Sequence, residues 1–290
     1  MTSGRDSGAR QLGLIAFVLL TFGLIWASAS VLYAEPLDGT SPATIVLQAS
    51  LVYVLGVGWQ PLVALLIVRR LVDPWPSGYA HRPTSFRYVT LAIVLPIVVL
   101  AAAAVVKAAL GPHDQVRIDV PIDASAGDAM LAVGAFVTAV AVLWVQSVVE
   151  EITWRGYALP RMMQLLGPWR GLVVHGLAWG ACYAAIFLAG RAMEPIHAAS
   201  VVITCGLLGI LLGWLRLASG SVAPSAACNA TLTVCAGLPQ VLQGLDPAFG
   251  AVFEPAGWLP LLMLVVLVVT TPALRAVVVL RQPLASGDGS

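Results

Sequence analysis

Charge is scarce in this sequence. Only 10% of its 290 residues are Asp, Glu, Lys or Arg, against about 25% in an ordinary soluble domain, so the chain cannot clothe a water-facing surface. The 15 basic and 14 acidic residues nearly cancel to a net charge of +1, which excludes the basic field that a nucleic-acid partner demands. Cysteine is as sparse. Cys182, Cys205, Cys228 and Cys235 all fall inside apolar runs and none has C-x-x-C spacing, so they read as small packing residues and not as a redox motif or a disulfide framework. Internal repeats and low-complexity tracts are absent, and no polar segment is long enough for a separate soluble domain.

What the chain has instead is apolar sequence, 59% of it hydrophobic, arranged in runs near the length that crosses a bilayer. They lie at about Leu12–Ala34, Ala43–Val68, Tyr88–Leu110, Ala129–Val149, Gly171–Ala189, Ala198–Leu217, Val222–Leu242 and Trp258–Leu280. The pattern predicts an all-α polytopic membrane protein of about eight spans, with a single transmembrane domain over 12–281 between short tails at 1–11 and 282–290. Ala27-Ser-Ala29 resembles a signal-peptide cleavage site, but the first run continues past it to spanning length and reads as a retained helix. Pro61, Pro96 and Pro260 are expected to kink their helices. Gly206, Gly209 and Gly213 are expected to let helix backbones approach closely.

Along an eight-span path every basic residue except Lys107, Arg117 and Arg191 falls on one side, and by the positive-inside rule that side is the cytoplasm, with both termini on it. The arginine-rich, alanine-rich composition suits a bacterial gene, hence a bacterial plasma membrane. Pro74-Trp-Pro76 and Tyr79, among the arginines of the longest cytoplasmic loop, read as a headgroup-level anchor.

One phrase stands out, Glu150-Glu151-Ile-Thr-Trp-Arg-Gly156 at the end of the fourth run. On a helix Glu151 and Arg155 are one turn apart and can pair, whereas Glu150 points about 100° away and is left for other work. Acids and arginines at a helix end also serve as headgroup-level caps, and on these residues alone both readings stand.

The phrase resembles the first motif of the CAAX-protease and bacteriocin-processing family of intramembrane endopeptidases: two glutamates, two free positions, an aromatic, an arginine, then glycine. Two later stretches are similar to that family's other motifs. In the fifth run Trp179 stands at the aromatic position and Tyr183 at the histidine position. His175 lies about 12 Å along the axis from Tyr183 and is a poor substitute; a lone buried histidine more often bonds a backbone carbonyl. In the seventh run Ser221 and Pro224 match the lead-in, Asn229 occupies the histidine position and Thr233 the asparagine position. Without the family, Asn229 and Thr233 read equally well as hydrogen bonds between helices.

The resemblance implies a CAAX-protease-like fold and endopeptidase cleavage near the cytoplasmic face. By it, Glu150 is the water-activating base, Glu151 and Arg155 form a supporting pair, and Tyr183, Asn229 and Thr233 complete a site in one cavity open to the cytoplasm. The substrate class it implies is a peptide or a prenylated or otherwise lipidated protein. A divalent metal such as zinc enters by resemblance only. With the motif histidines gone too few ligands remain, so no cofactor is expected and any peptidase activity is expected to be weak. The alternative is a non-proteolytic scaffold or immunity-type protein that binds such a partner in the same cavity. A transporter is disfavoured, because the polar residues gather near one face.

Overall fold

A computed structural model of the protein describes residues 3–32, 58–73, 84–110, 126–189, 195–241 and 255–280. All regular structure among them is helical. The helices are α1 (Ser3–Leu32), α2 (Gln60–Leu71), α3 (Phe86–Leu110), α4 (Ala126–Glu151), α5 (Leu159–Leu166), α6 (Pro168–Ala189), α7 (Pro195–Ser219), α8 (Val222–Val241), α9 (Pro255–Thr270) and α10 (Pro272–Leu280). A π-helical turn, Ile152–Ala158, joins α4 to α5.

The helices are turned inside out relative to a soluble bundle. Leu19, Val94, Ile97, Val145, Met263 and Leu267 are exposed, while Gln146, Glu150, Glu151, Arg155, Arg161, His175 and Asn229 are buried. Only a hydrocarbon solvent makes that distribution favourable, since an ionised side chain costs several kcal/mol facing lipid and apolar surface costs nothing there. Among the described residues Gly8–Val31, Phe86–Val106 and Ala198–Ser219 are each long and apolar enough to cross a bilayer, and Trp258–Thr270 with Pro272–Leu280 forms a bent apolar pair, a broken span or a re-entrant loop. The chain is a multi-pass membrane protein. The second apolar run and the Pro74–Tyr79 anchor lie wholly or partly outside the described residues.

The helix ends depart from the sequence reading in two places. The last run is not one rod: it bends by 77° at Thr271, where Pro272 opens α10. Trp214 Nε1 donates to the Leu274 carbonyl at 3.1 Å just beyond that bend. Pro61 makes no kink either, because it sits in the first turn of α2, where its missing N–H breaks no helical bond. Pro96 and Pro260 do lie inside α3 and α9.

The most extensive helix contact is between α6 and α7, and glycine makes it possible. A Cβ on Gly176 would lie 2.6 Å from the Gly206 carbonyl oxygen, and one on Gly209 would collide with the Gly176 backbone. Such backbone contact is how membrane helices gain packing without a hydrophobic drive. Behind this pair, α8 packs against α3 and α4, and α1 against α2 and α6. Helices α4 and α8 pack on each other, and α6 reaches the acidic phrase between them through its side chains.

Candidate functional site

Glu150 lies near the end of α4 and is 1% exposed. Its carboxylate is gripped from four directions. Trp179 Nε1 donates to Oε1 at 2.6 Å and Tyr183 Oη to the same oxygen at 2.7 Å, both from α6. Asn229 Nδ2, from α8, donates to Oε2 at 3.0 Å, and Gln146 Nε2, one turn earlier on α4, donates to Oε2 at 3.0 Å. Each oxygen therefore accepts two hydrogen bonds, which fills the lone-pair sites of an ionised carboxylate. The carboxylate is not left free, as the helical spacing suggested; it accepts four hydrogen bonds in the bundle's polar interior.

Glu151 faces the other way and pairs with Arg155 Nη1 at 2.8 Å, both side chains fully buried. Among the described residues Glu151 Oε2 and Arg155 Nε and Nη2 find no hydrogen-bond partner. The Arg155 guanidinium lies 4.1 Å over the Trp179 ring, a cation–π contact that offsets part of the cost of burying it. Trp179 thus serves both acids at once, its N–H on Glu150 and its face on Arg155. Its ring also meets Tyr183 edge-on, 5.1 Å between centroids, which orients both donors.

The π turn after Glu151 is held on two sides. Inward, His175 Nε2 lies 3.2 Å from the Trp154 carbonyl, an acceptor, so the ring donates there and His175 is a structural histidine bonded to backbone. Outward, Phe17 of α1 packs edge-on against Trp154 and Tyr157. Arg161 donates through Nε to Asp73 Oδ2 at 3.0 Å and through Nη2 to the same oxygen, with its guanidinium 3.8 Å over the Tyr157 ring. This clamp fastens the end of α2 to the turn that carries Arg155.

Of the residues singled out from sequence, the structure brings Glu150, Tyr183 and Asn229 into direct contact and pairs Glu151 with Arg155. Thr233 is not among them. Its hydroxyl donates to the Asn229 carbonyl at 2.9 Å, within its own helix, because a threonine inside a helix reaches the carbonyl one turn back more readily than a neighbouring helix. Nor do the acids line an open cavity; both are closed over by side chains. Two donors were overlooked in the sequence, Gln146 and the Trp179 indole. The signal for Gln146 was present: a polar residue four positions before a glutamate inside an apolar run. Asp73 and Arg161 carried no such local signal.

Zinc does not fit this arrangement. The four groups around Glu150 all present hydrogens to it, and indole and carboxamide nitrogens are not zinc ligands. Among the described residues no group of three His, Cys, Asp or Glu side chains is placed to hold a metal ion. The free thiols of Cys182 and Cys228 are buried packing residues.

Comparison with known proteins points to a family of membrane endopeptidases. Residues 132–235, which hold Gln146, the Glu-Glu-Arg phrase, Trp179, Tyr183 and Asn229, match the model described as Type II CAAX prenyl endopeptidase Rce1-like. No curated protein matches the chain. The matched region contains α6, α7 and most of α4 and α8, and so the three helices, α4, α6 and α8, that supply the donors to Glu150. Through that region this multi-pass membrane protein is similar to the type II CAAX prenyl endopeptidase Rce1-like family.

Proposed function

We propose that the protein is an endopeptidase of the bacterial plasma membrane, both termini in the cytoplasm, that cleaves a peptide or a lipidated protein segment with Glu150 as the water-activating base. The observation that carries this reading is the convergence of Tyr183 and Asn229, the two residues at the histidine positions of the family's motifs, on the Glu150 carboxylate. Both are hydrogen-bond donors, and both sit where a substrate carbonyl beside Glu150 would need donors.

The chemistry follows from the number of lone pairs. Glu150 can accept a proton from water only after one donor has left it, so substrate must displace at least one. When the scissile carbonyl enters, Tyr183 and Asn229 transfer their hydrogen bonds from the carboxylate to that oxygen and serve as donors to the developing oxyanion. Water held by Glu150 then attacks the carbonyl carbon, its proton passes to Glu150, and the same proton goes to the leaving amine as the C–N bond breaks. Arg155 keeps Glu151 paired, so that one negative charge and not two faces the reacting centre. Without a histidine acid–base group the rate falls by about 10²-fold or more, because such groups contribute roughly 10²–10⁴. No step runs through a metal.

One observation favours a second reading. With all four lone-pair sites of Glu150 occupied by neutral donors, the resting site is more stable than a poised base needs to be. A scaffold that binds the same class of segment without hydrolysing it has that property. Purified protein in lipid nanodiscs, given labelled farnesylated and unmodified peptides, separates the two. The endopeptidase reading expects slow cleavage that Glu150→Gln abolishes and that chelators leave unchanged. Binding without cleavage selects the scaffold, and chelator-sensitive cleavage by stoichiometric zinc protein overturns the metal-free mechanism.

A further inference from the structure

Gln146 lies outside the three motifs, yet it touches the carboxylate that organises them. Because Glu150 Oε2 is an acceptor, the end of the carboxamide facing it is the NH2, and the carbonyl Oε1 therefore points elsewhere. Among the described residues that oxygen accepts no hydrogen bond, although Gln146 is only 4% exposed. A buried, unfilled amide carbonyl costs about 1–3 kcal/mol. The same side chain borders an apolar cleft of about 420 Å³ lined by Trp59, Leu62, Val142 and Val145; Oε1 itself is covered, so a ligand reaches it once a neighbouring side chain moves aside.

A peptide bound in extended form at Glu150 brings the complementary problem. Its backbone N–H groups enter a low-dielectric site and each needs an acceptor, or it loses several kcal/mol. The lone pairs that substrate frees on Glu150 face the attacking water and are committed to it. Gln146 Oε1 is an acceptor of the right kind, one bond network away from the reacting position.

We propose that Gln146 is a substrate-positioning residue: its Nε2 holds Glu150 while its Oε1 accepts a backbone N–H of the bound peptide next to the scissile bond. This rests on the reading of the site as one that binds a peptide. The two ends of one carboxamide thereby couple the base to the chain that it acts on, and register along the peptide is set by which N–H reaches Gln146.

The test is a cycle between protein and ligand. A labelled farnesylated peptide and a series in which one backbone N–H at a time is methylated are measured for binding, and for KM and kcat where cleavage occurs. The proteins are wild type, Gln146→Glu, which keeps an acceptor, and Gln146→Leu, which does not. In the wild type one methylated position weakens binding about tenfold, the scale of one lost hydrogen bond to a buried partner. Gln146→Leu weakens the parent peptide by the same factor and is indifferent to methylation at that position. Gln146→Glu retains the methylation effect. A methylation penalty that is undiminished in Gln146→Leu overturns the inference while leaving the peptide reading intact. Wild-type protein that neither binds nor cleaves any peptide of the series overturns the peptide reading, and this inference with it.

Discussion

Replacing Glu150 in two ways separates its charge from its shape. Glu150→Ala removes the acceptor and strands four buried donors, from Gln146, Trp179, Tyr183 and Asn229. At the average of about 0.6 kcal/mol measured for hydrogen bonds between membrane helices, the three that come from α6 and α8 set a floor of roughly 2 kcal/mol. At the scale for donors left unsatisfied to a charged partner, about 1.5–3 kcal/mol each, the loss would be several times larger. Water entering the vacated space would bring it back toward the floor, so a destabilisation of ~2–4 kcal/mol is expected. Glu150→Gln behaves differently. Its Oε1 can still accept from Trp179, which has only a donor to offer, and from Tyr183. Its new NH2 then faces Gln146 and Asn229, whose carboxamides can turn over and present oxygen instead. Geometry survives and a buried charge is removed, so this variant is expected within about 1 kcal/mol of wild type. Reversible unfolding in mixed micelles, followed by circular dichroism and by resistance to proteolysis, measures both. If Glu150→Ala is as stable as wild type, the carboxylate is not gripped as described. If Glu150→Gln falls as far as Glu150→Ala, the amide-reversal argument is wrong.

Three further outcomes follow from the same geometry. Tyr183→His with Asn229→His restores the imidazoles at the motif positions and is expected to raise peptide cleavage by about 10²-fold, assayed on the farnesylated peptide, whereas either single change gives less. Asp73→Ala leaves the Arg161 guanidinium, 1% exposed, without its carboxylate and is expected to cost ~3 kcal/mol or more in the same unfolding assay; Asp73→Ala stability equal to wild type would show that the clamp carries nothing. Reporter fusions after Arg70 and after Asp119 are expected to report cytoplasm and exterior respectively, and the reverse pattern would invert the orientation drawn from the arginines.

Much of the architecture is legible in the chain because hydrocarbon is an unforgiving solvent. Apolar runs near spanning length, scarce charge and small residues at a helix crossing are one-dimensional patterns, and each has a single stable interpretation in a bilayer. The Glu151–Arg155 pair is of the same kind, since both partners lie on one helix one turn apart. The break at Thr271 was hidden because Pro272 sits in an apolar run whose composition is that of a straight span.

The site itself was only half legible. The motifs marked Glu150, Tyr183 and Asn229, but a pattern of residues states which side chains cannot face lipid and not whom they will meet. That Trp179, Tyr183 and Asn229 all end on one carboxylate, across 29, 33 and 79 residues of sequence, was decided by how α8 seats against α4 and by where the long side chains of α6 reach. The Asp73–Arg161 contact, 88 residues apart, was decided by where α2 ends against the π turn. Thr233 shows the converse. Its position suggested the site, and its hydroxyl donates to the nearer Asn229 carbonyl within its own helix. Periodicity along one helix is a property of sequence; a hydrogen bond between helices depends on their distance and rotation, and only packing determines those.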